Sequence, residues 1–388
     1  MERSIALGCS QGCFSVSVKT DFVPVKIIGH RGLGSTAHLC GNGSTLPHTY
    51  FPENTLKSFQ AAIDEGVDGL ELDVINAACG TAMVIHDDRL NTKVEGAARE
   101  GTDCGRVSAL SAAEIQRLNV GQGEAPPTLQ QTLDLFADAN LKRQAQGLDP
   151  LIIQLELKGC DVVQTVTTAI RPMIDAGLFR AEDFHVCSFD HAQLVTFKRA
   201  NPDIEVSPAI TTTSLFGDDQ LMPGWTPVPG ATYRDEVFGE LDALQEDMLF
   251  TSLDCVMWDV YRPMVNYAVE RGHKLYLSIS NVRDLDERYL LIVLAAQRAG
   301  AEVCLITDEP THARRALQRL SDELDDATLC EIWSIVAEGC ADPSHSGAGD
   351  VCGDWSHAAT LTSSNFAEVV LSHPPQYQRG GYLAHAKV

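Results

Sequence analysis

From residue 26 onward, short β-branched or aliphatic runs alternate with longer segments whose apolar residues recur at helical spacing. The strand-like runs are VKIIGH, GLELDV, AMVIHD, LIIQLELK, FHVCSF, IEVSPAI, LDCVMW, KLYLSIS and AEVCLITD. Alternation of this kind predicts a parallel sheet, and about eight such units in roughly 300 residues predict an α/β fold closed as a (β/α)₈ barrel. Nine runs compete for eight places, so one must lie off the barrel, and we expect it to be LDCVMW or IEVSPAI.

The predicted helices carry apolar residues on one face, and several end at a glycine. They are TLKSFQAAIDEG, LSAAEIQRL, TLQQTLDLFADANLKRQAQ, DVVQTVTTAIRPMIDAG, HAQLVTFKRA, PMVNYAVERG and DERYLLIVLAAQRAG. The glycines are Gly66, Gly177, Gly272 and Gly300. Glycine is typical just after a helix because the chain there often takes a left-handed conformation.

Three segments interrupt the alternation. Residues 33–51 form a Gly/Ser/Thr-rich loop, which could be a lid over a site or a surface insertion. Residues 211–250 are polar and rich in Pro and Gly, which predicts an inserted loop with a short helix. We therefore expect an N-terminal extension over 1–24, a barrel over 25–320, and a C-terminal helix with a poorly ordered tail over 321–388.

Composition restricts the partners. The chain has 29 Lys and Arg against 53 Asp and Glu, a net charge of −24, which repels nucleic acid and anionic membranes. Its N-terminus lacks the apolar stretch of a signal peptide, and no run is long enough to span a bilayer, so we expect no stable membrane anchor. The 12 cysteines include no C-x-x-C pair, which favours a reducing, cytoplasmic location. The oligomeric state stays open.

Ionisable residues end the first four strand-like runs. They are His30 and Arg31, Glu71 and Asp73, His86 and Asp87, and Glu156 and Lys158. Residues two apart on a strand share a face, so Glu71 and Asp73 point one way while Leu72 points the other, toward the helices. The charged face must then point into the barrel at its carboxyl end, where (β/α)₈ enzymes have their active sites.

This set of side chains suggests phosphate chemistry. Three carboxylates repel one another unless a cation lies among them, and oxygen ligands suit Mg²⁺ or Ca²⁺. Arg31 and Lys158 add positive charge that a phosphate would use. His30 and His86 fit a general base and a general acid, because imidazole titrates near neutral pH.

The same residues belong to an ordered series of motifs that resembles the signature of the glycerophosphodiester phosphodiesterases. The motifs are HRG at 30–32, PENT at 52–55, ELD at 71–73, HD at 86–87, ELK at 156–158, PTLQQTLDL at 127–135, SFD at 188–190 and ITDEP at 306–310. The resemblance covers residues 26 to 318 and implies a metal-dependent (β/α)₈ barrel. The implied reaction is hydrolysis of a small glycerophosphodiester to glycerol 3-phosphate and an alcohol.

The resemblance also implies roles for individual residues. The metal ligands would be Glu71, Asp73 and Glu156, which would hold one divalent cation, Mg²⁺ or Ca²⁺. The acid–base pair would be His30 and His86. Arg31 and Lys158 would bind the phosphate, and Glu53 and Asn54 would support the site. Within this scheme we expect His30 to be the base and His86 the acid.

One position departs from the family pattern, and two alternatives stay open. The family often has a tryptophan where this chain has Ser278, so this chain lacks the aromatic side chain that would pack there against the glycerol or the head group. A related barrel could instead act on lysophospholipids as a lysophospholipase D, using apolar residues of the insert: Phe216, Leu221, Met222 and Trp225. A non-catalytic phosphodiester-binding protein is disfavoured, because every polar position that the family expects in the site is filled.

Overall fold

A computed structural model describes residues 24–33, 51–88, 90, 105–159, 161–210, 234–256, 262–278, 287–325 and 328–329 of the 388-residue chain. Several expectations lie outside these ranges. They concern the N-terminal extension, the loop between HRG and PENT, the first half of the 211–250 insert with its apolar residues, and the C-terminal tail.

Eight parallel strands close into a barrel, which confirms the predicted fold. They are β1 (Lys26–Gly29), β2 (Gly69–Asn76), β4 (Ile152–Leu157), β5 (Phe184–Ser188), β6 (Glu205–Ile210), β7 (Ser252–Val256), β8 (Lys274–Ser278) and β9 (Glu302–Thr307). Each pairs with the next of these in the chain, and β1 pairs with both β2 and β9, which closes the ring.

The remaining strand, β3 (Ala82–Val84), lies off the barrel and pairs antiparallel with the end of β2. The expectation that LDCVMW or IEVSPAI would be the exception was therefore wrong, since these runs form β7 and β6. Chain length explains the result. Parallel strands need a crossover of a dozen or more residues, whereas only residues 77–81 join β2 to β3.

The helices cover the outside of the barrel. They are α1 (Leu56–Asp64), α2 (Ala112–Ile115), α3 (Leu129–Ala145), α4 (Val162–Asp175), α5 (His191–Ala200), α6 (Arg234–Met248), α7 (Arg262–Arg271), α8 (Glu287–Arg298) and α9 (Pro310–Glu323). All seven predicted helices are present. The part of the 211–250 insert that the structure describes holds a 15-residue helix, α6, between β6 and β7. The sequence analysis did not identify α9, a charged helix whose buried residues include Ala313, Leu317 and Leu320.

The main core lies between the strands and the helices. Leu70, Leu72 and Val74 of β2 are fully buried in it, as the alternation along this strand predicts. The opposite face of the strands fills the barrel interior and is unusually polar, because Gln154 and His185 are buried there. No described helix is long and apolar enough to cross a membrane.

Candidate active site

A tight turn after β1 carries the first predicted site residues. His30 donates its backbone N–H to the carbonyl of Thr307 at 3.0 Å, which extends the β1–β9 pairing. Arg31 and Gly32 then take φ angles of +53° and +86°. A Cβ at Gly32 would lie 2.5 Å from Ser58 Oγ of α1, so glycine is the residue that fits this turn.

The turn brings both the backbone and the side chain of Arg31 to acidic partners. Its backbone N–H donates to Glu71 Oε2 at 2.8 Å. Its guanidinium donates to both carboxylate oxygens of Glu53 at 2.9 Å, and its Nε lies 3.5 Å from Asp73 Oδ2. Both bonds to Glu53 come from one nitrogen, Nη1, and hold that end of the guanidinium beside the carboxylate.

The PENT motif attaches this turn to α1. Asn54, at φ +56°, donates its backbone N–H to the carbonyl of Arg31 at 3.0 Å, and its side chain donates to Asp73 Oδ2 at 2.8 Å. Thr55 follows as the N-cap, and its hydroxyl accepts from Ser58 N. Asn54 thus holds one of the predicted metal ligands in place.

Glu71, Asp73 and Glu156 form a cluster that could hold a metal ion. Each offers a carboxylate oxygen, and the three oxygens lie within 4.8 Å of one another. Strand register explains the grouping. Glu71 and Asp73 share the inner face of β2, and Asp73 is the register partner of Glu156 on the neighbouring strand β4. The all-oxygen donor set fits a hard divalent cation.

Lys158 lies inside the same cluster. Its Nζ is 3.1 Å from Asp73 Oδ1 and 3.0 Å from Glu156 Oε1, and its side chain is only 1% exposed. Both oxygens are therefore ion-paired with Lys158, and a cation bound by the triad would share them with this ammonium group.

Each predicted catalytic histidine is paired with a carboxylate. His30 Nδ1 lies 2.6 Å from Asp308 Oδ1, directly after β9, and both side chains are buried. His86 Nδ1 lies 2.6 Å from Asp87 Oδ1, and these side chains are about one-fifth exposed. A carboxylate at Nδ1 favours a proton on that nitrogen and leaves Nε2 as the basic one.

The antiparallel strand β3 brings His86 to the rim. It runs back along the end of β2, and Ile85 N–H donates to the carbonyl of Asp73 at 3.0 Å. Electrostatics agrees with this placement, since the charge of His86 contributes to lowering the pKa of Asp73. His86 therefore joins the triad from outside the barrel strands.

Burial and mutual repulsion act on two of the three predicted ligands. Burial, followed by the charge of Asp73, raises the pKa of Glu71 well above its ordinary value, although Arg31 opposes this. Burial also raises the pKa of Glu156, with Lys158 opposing and Asp73 adding to the rise. Both directions are those expected of carboxylates crowded in a low-dielectric site without a cation.

The other charged groups respond in the opposite direction. Burial acts to raise the pKa of Asp73, but the charges of Lys158, His86 and Arg31 outweigh it and lower that pKa. Burial acts to lower the pKa of Lys158, but Asp73 and Glu156 outweigh it and raise that pKa. Asp73 and Lys158 therefore stay ionised at neutral pH.

The charges of the cluster do not balance. Two cations face four carboxylates: Arg31 and Lys158 against Glu53, Glu71, Asp73 and Glu156. When all six are ionised, two negative charges are in excess, which is the charge that one divalent cation would neutralise. Such a cation would in turn attract an anionic ligand.

All nine residues predicted for the site lie at the carboxyl end of the barrel or beside it. Contacts or charge effects connect eight of them with one another around the carboxylate triad. His30 precedes Arg31 in the chain, and its contacts are with Thr307 and Asp308. The sequence analysis missed Asp308 as the partner of His30. The rule that identified the other tips would have found it, because Asp308 ends the run AEVCLITD.

Comparison with protein families finds one matching model. Residues 30–310 match the glycerophosphoryl diester phosphodiesterase family. This range includes every residue predicted for the site.

Individual relatives agree with the family match. A glycerophosphodiester phosphodiesterase of Bacillus altitudinis is 28% identical over 230 residues, which cover 57% of this chain and 83% of that protein. Among solved structures, a protein from Galdieria sulphuraria described as a putative glycerophosphodiester phosphodiesterase superimposes with a TM-score of 0.53 at 19% identity, covering 77% of this chain and all of that one. An Oleispira antarctica phosphodiesterase, solved with its product sn-glycerol-3-phosphate, gives a TM-score of 0.52 at 20% identity and covers 76% and 96% of the two chains. These structural similarities show that the chains share a fold.

Proposed function

Because the chain belongs to the glycerophosphoryl diester phosphodiesterase family, an enzyme family, we propose that it hydrolyses small glycerophosphodiesters to glycerol 3-phosphate and an alcohol. We further propose that the reaction depends on one divalent cation, Mg²⁺ or Ca²⁺. The observation that carries the proposal is the carboxylate triad, whose three oxygens lie within 4.8 Å of one another, together with two carboxylate-paired histidines at the same rim.

In this proposal Glu71, Asp73 and Glu156 hold the cation. When bound, the cation would polarise a phosphoryl oxygen and offset the charge that develops on it. Arg31 and Lys158 already lie among the ligands, so a phosphate that enters the cluster meets their positive charge. Glu53 and Asn54 keep Arg31 and Asp73 in fixed positions and thereby preorganise the site.

The two histidines move the protons. His30, with its Nδ1 held by Asp308, takes a proton at Nε2 from the nucleophile, which is water or the glycerol hydroxyl of the substrate. If the hydroxyl attacks, the alcohol leaves a cyclic phosphate, and water then opens this ring to give glycerol 3-phosphate. His86, protonated and held by Asp87, donates a proton to the departing alkoxide. The paired carboxylates stabilise each imidazole when it carries positive charge.

The test uses the full chain, stripped of metal with a chelator and resupplied with Mg²⁺ or Ca²⁺. Glycerol 3-phosphate and choline release are followed from glycerophosphocholine, and choline release from lysophosphatidylcholine under the same conditions is the comparison. We expect metal-dependent release from glycerophosphocholine. Release from lysophosphatidylcholine alone would indicate the lysophospholipase D alternative, and bound metal without any release would indicate a binding protein.

Replacing the proposed acid tests the chemistry. We expect His86→Ala to lower kcat by about 10²–10⁴-fold, because the leaving alkoxide loses its proton donor. His312→Ala, on the outer helix α9, is the matched control and should keep parental kcat. Undiminished release by His86→Ala would remove His86 from the mechanism.

A further inference from the structure

A further carboxylate, besides the triad and Glu53, lies deeper inside the barrel and has no part in the mechanism above. Asp254 is on β7, almost fully buried, and Gln154 Nε2 donates to its Oδ2. Gln154 precedes Glu156 by two residues on β4, so both side chains share the inner face of that strand. Gln154 thus links Asp254 to the strand that carries a predicted ligand.

Cys187 of β5 provides a second contact. Its thiol hydrogen-bonds to Asp254, and its Sγ lies 3.9 Å from Gln154 Nε2. Burial, followed by the charge of Asp254, raises the pKa of Cys187 well above its ordinary value, so it stays a thiol that donates to the carboxylate. Cys187 is also the register partner of Glu156, which places the group directly against the triad.

A buried carboxylate in this position is costly unless a cation compensates it. Within the part of the chain that the structure describes, the groups that shift the pKa of Asp254 besides burial are Glu156, Cys187 and Gln154, and none of these is cationic. Burial and the charge of Glu156 raise its pKa to about 7, so the two carboxylates interact through the barrel interior. A neutral side chain of similar volume would have filled the same space at lower cost.

We propose that Asp254 is a positioning residue for the metal centre, whose buried negative charge strengthens divalent-cation binding by Glu71, Asp73 and Glu156. This inference rests on the proposed function, because it assigns the cation site to the triad. The cation would be the missing compensating charge for Asp254, and its attraction would act through a poorly screened interior. Gln154 and Cys187 hold the carboxylate at a fixed depth.

The test is Asp254→Asn in the full chain, which keeps the shape of the side chain and removes the charge. Ca²⁺ or Mg²⁺ alone is titrated into metal-free protein by calorimetry at constant ionic strength. We expect the Kd for the cation to rise roughly 10–100-fold, the usual effect of removing a group that supports metal ligands. The Tm of the metal-free variant at neutral pH should not fall, because the substitution also removes a repulsive charge.

Ser207→Ala is the matched control. Ser207 is buried on β6 as the register partner of Cys187, and it carries no charge, so its loss should leave the Kd unchanged. A Kd for Asp254→Asn within about twofold of the parent would overturn the inference. An equal rise of the Kd in Ser207→Ala, together with a lowered Tm of metal-free Asp254→Asn, would also overturn it. These outcomes leave the proposed function standing when the parent binds metal and releases glycerol 3-phosphate. A parent that binds neither cation would overturn both.

Discussion

Asp308 shows how a single residue prepares a site for chemistry. It lies one residue beyond β9 and contacts His30 Nδ1 at 2.6 Å, in a pair that is almost fully shielded from water. Asp87 makes the equivalent contact to His86 at the same distance. Each carboxylate orients the imidazole that it contacts and favours the tautomer whose Nε2 is basic. The two histidines are therefore positioned by the same kind of contact.

We expect Asp308→Asn to lower kcat by at least about tenfold, because an amide can present the wrong hydrogen-bonding group to His30 and no longer stabilises the imidazolium. The acidic limb of the pH–rate profile should shift, because that limb reports the general base, while the calorimetric Kd for the cation stays at the parental value. Asp308→Glu should recover part of the activity. A loss of kcat with an unchanged pH profile would indicate a purely structural role.

At the scale of elements, the site depends on two local features. The antiparallel strand β3 returns along β2 and delivers His86, and the turn at Arg31 and Gly32 packs against the start of α1. Both are local deviations from the regular (β/α)₈ repeat. The regular strands supply the carboxylates and Lys158, whereas the deviations supply His86 and Arg31.

The turn gives a prediction for stability. Gly32→Ala should lower the free energy of unfolding by about 2 kcal/mol or more, because φ is +86° and the new Cβ would lie 2.8 Å from Phe59 N of α1. Gly239→Ala in α6 is the control, since its Cβ meets nothing within 4 Å and alanine favours helix by about 1 kcal/mol. Urea unfolding of both variants measures the difference. Equal stability of Gly32→Ala and the parent would contradict the described turn.

The whole molecule concentrates acidic groups inside the barrel as well as on its surface. Burial and neighbouring carboxylates raise the pKa of Glu71, Glu156 and Asp254. A carboxyl whose folded pKa lies above its unfolded value binds its proton more tightly in the native state. Its contribution to stability is therefore lost as pH rises from the unfolded value toward the folded one.

This sign gives a pH prediction for the metal-free protein. Comparing Asp254→Asn with the parent reports Asp254 together with its effect on Glu156 and Cys187, because titrations elsewhere in the protein are common to both chains. The unfolding free energy of the variant relative to the parent should grow as pH rises from about 4 to about 7, where the parent must ionise the buried carboxyl. Urea unfolding at fixed ionic strength measures it. A difference independent of pH would show that Asp254 ionises as easily when folded as when unfolded.

Much of the site was predictable because it follows strand alternation. Glu71, Asp73 and Glu156 were identified from residues two apart on strand-like runs, and the barrel brings them within 4.8 Å. Asp308 was open to the same reasoning. Asp254 was not, because it lies in the middle of a strand, where an inward acidic residue cannot be told from one that faces a polar helix.

The sequence by itself determined the alternating elements, the closed barrel and the set of ionisable tips, because these depend on hydrophobic periodicity and on the parity of positions along a strand. Only the tertiary structure decided that β3 turns back antiparallel, that Asp308 pairs with His30, and that Lys158 lies between two carboxylates. These features depend on contacts between residues far apart in the chain. Local pattern carries no information about which of several compatible partners a buried charge will meet once the barrel closes.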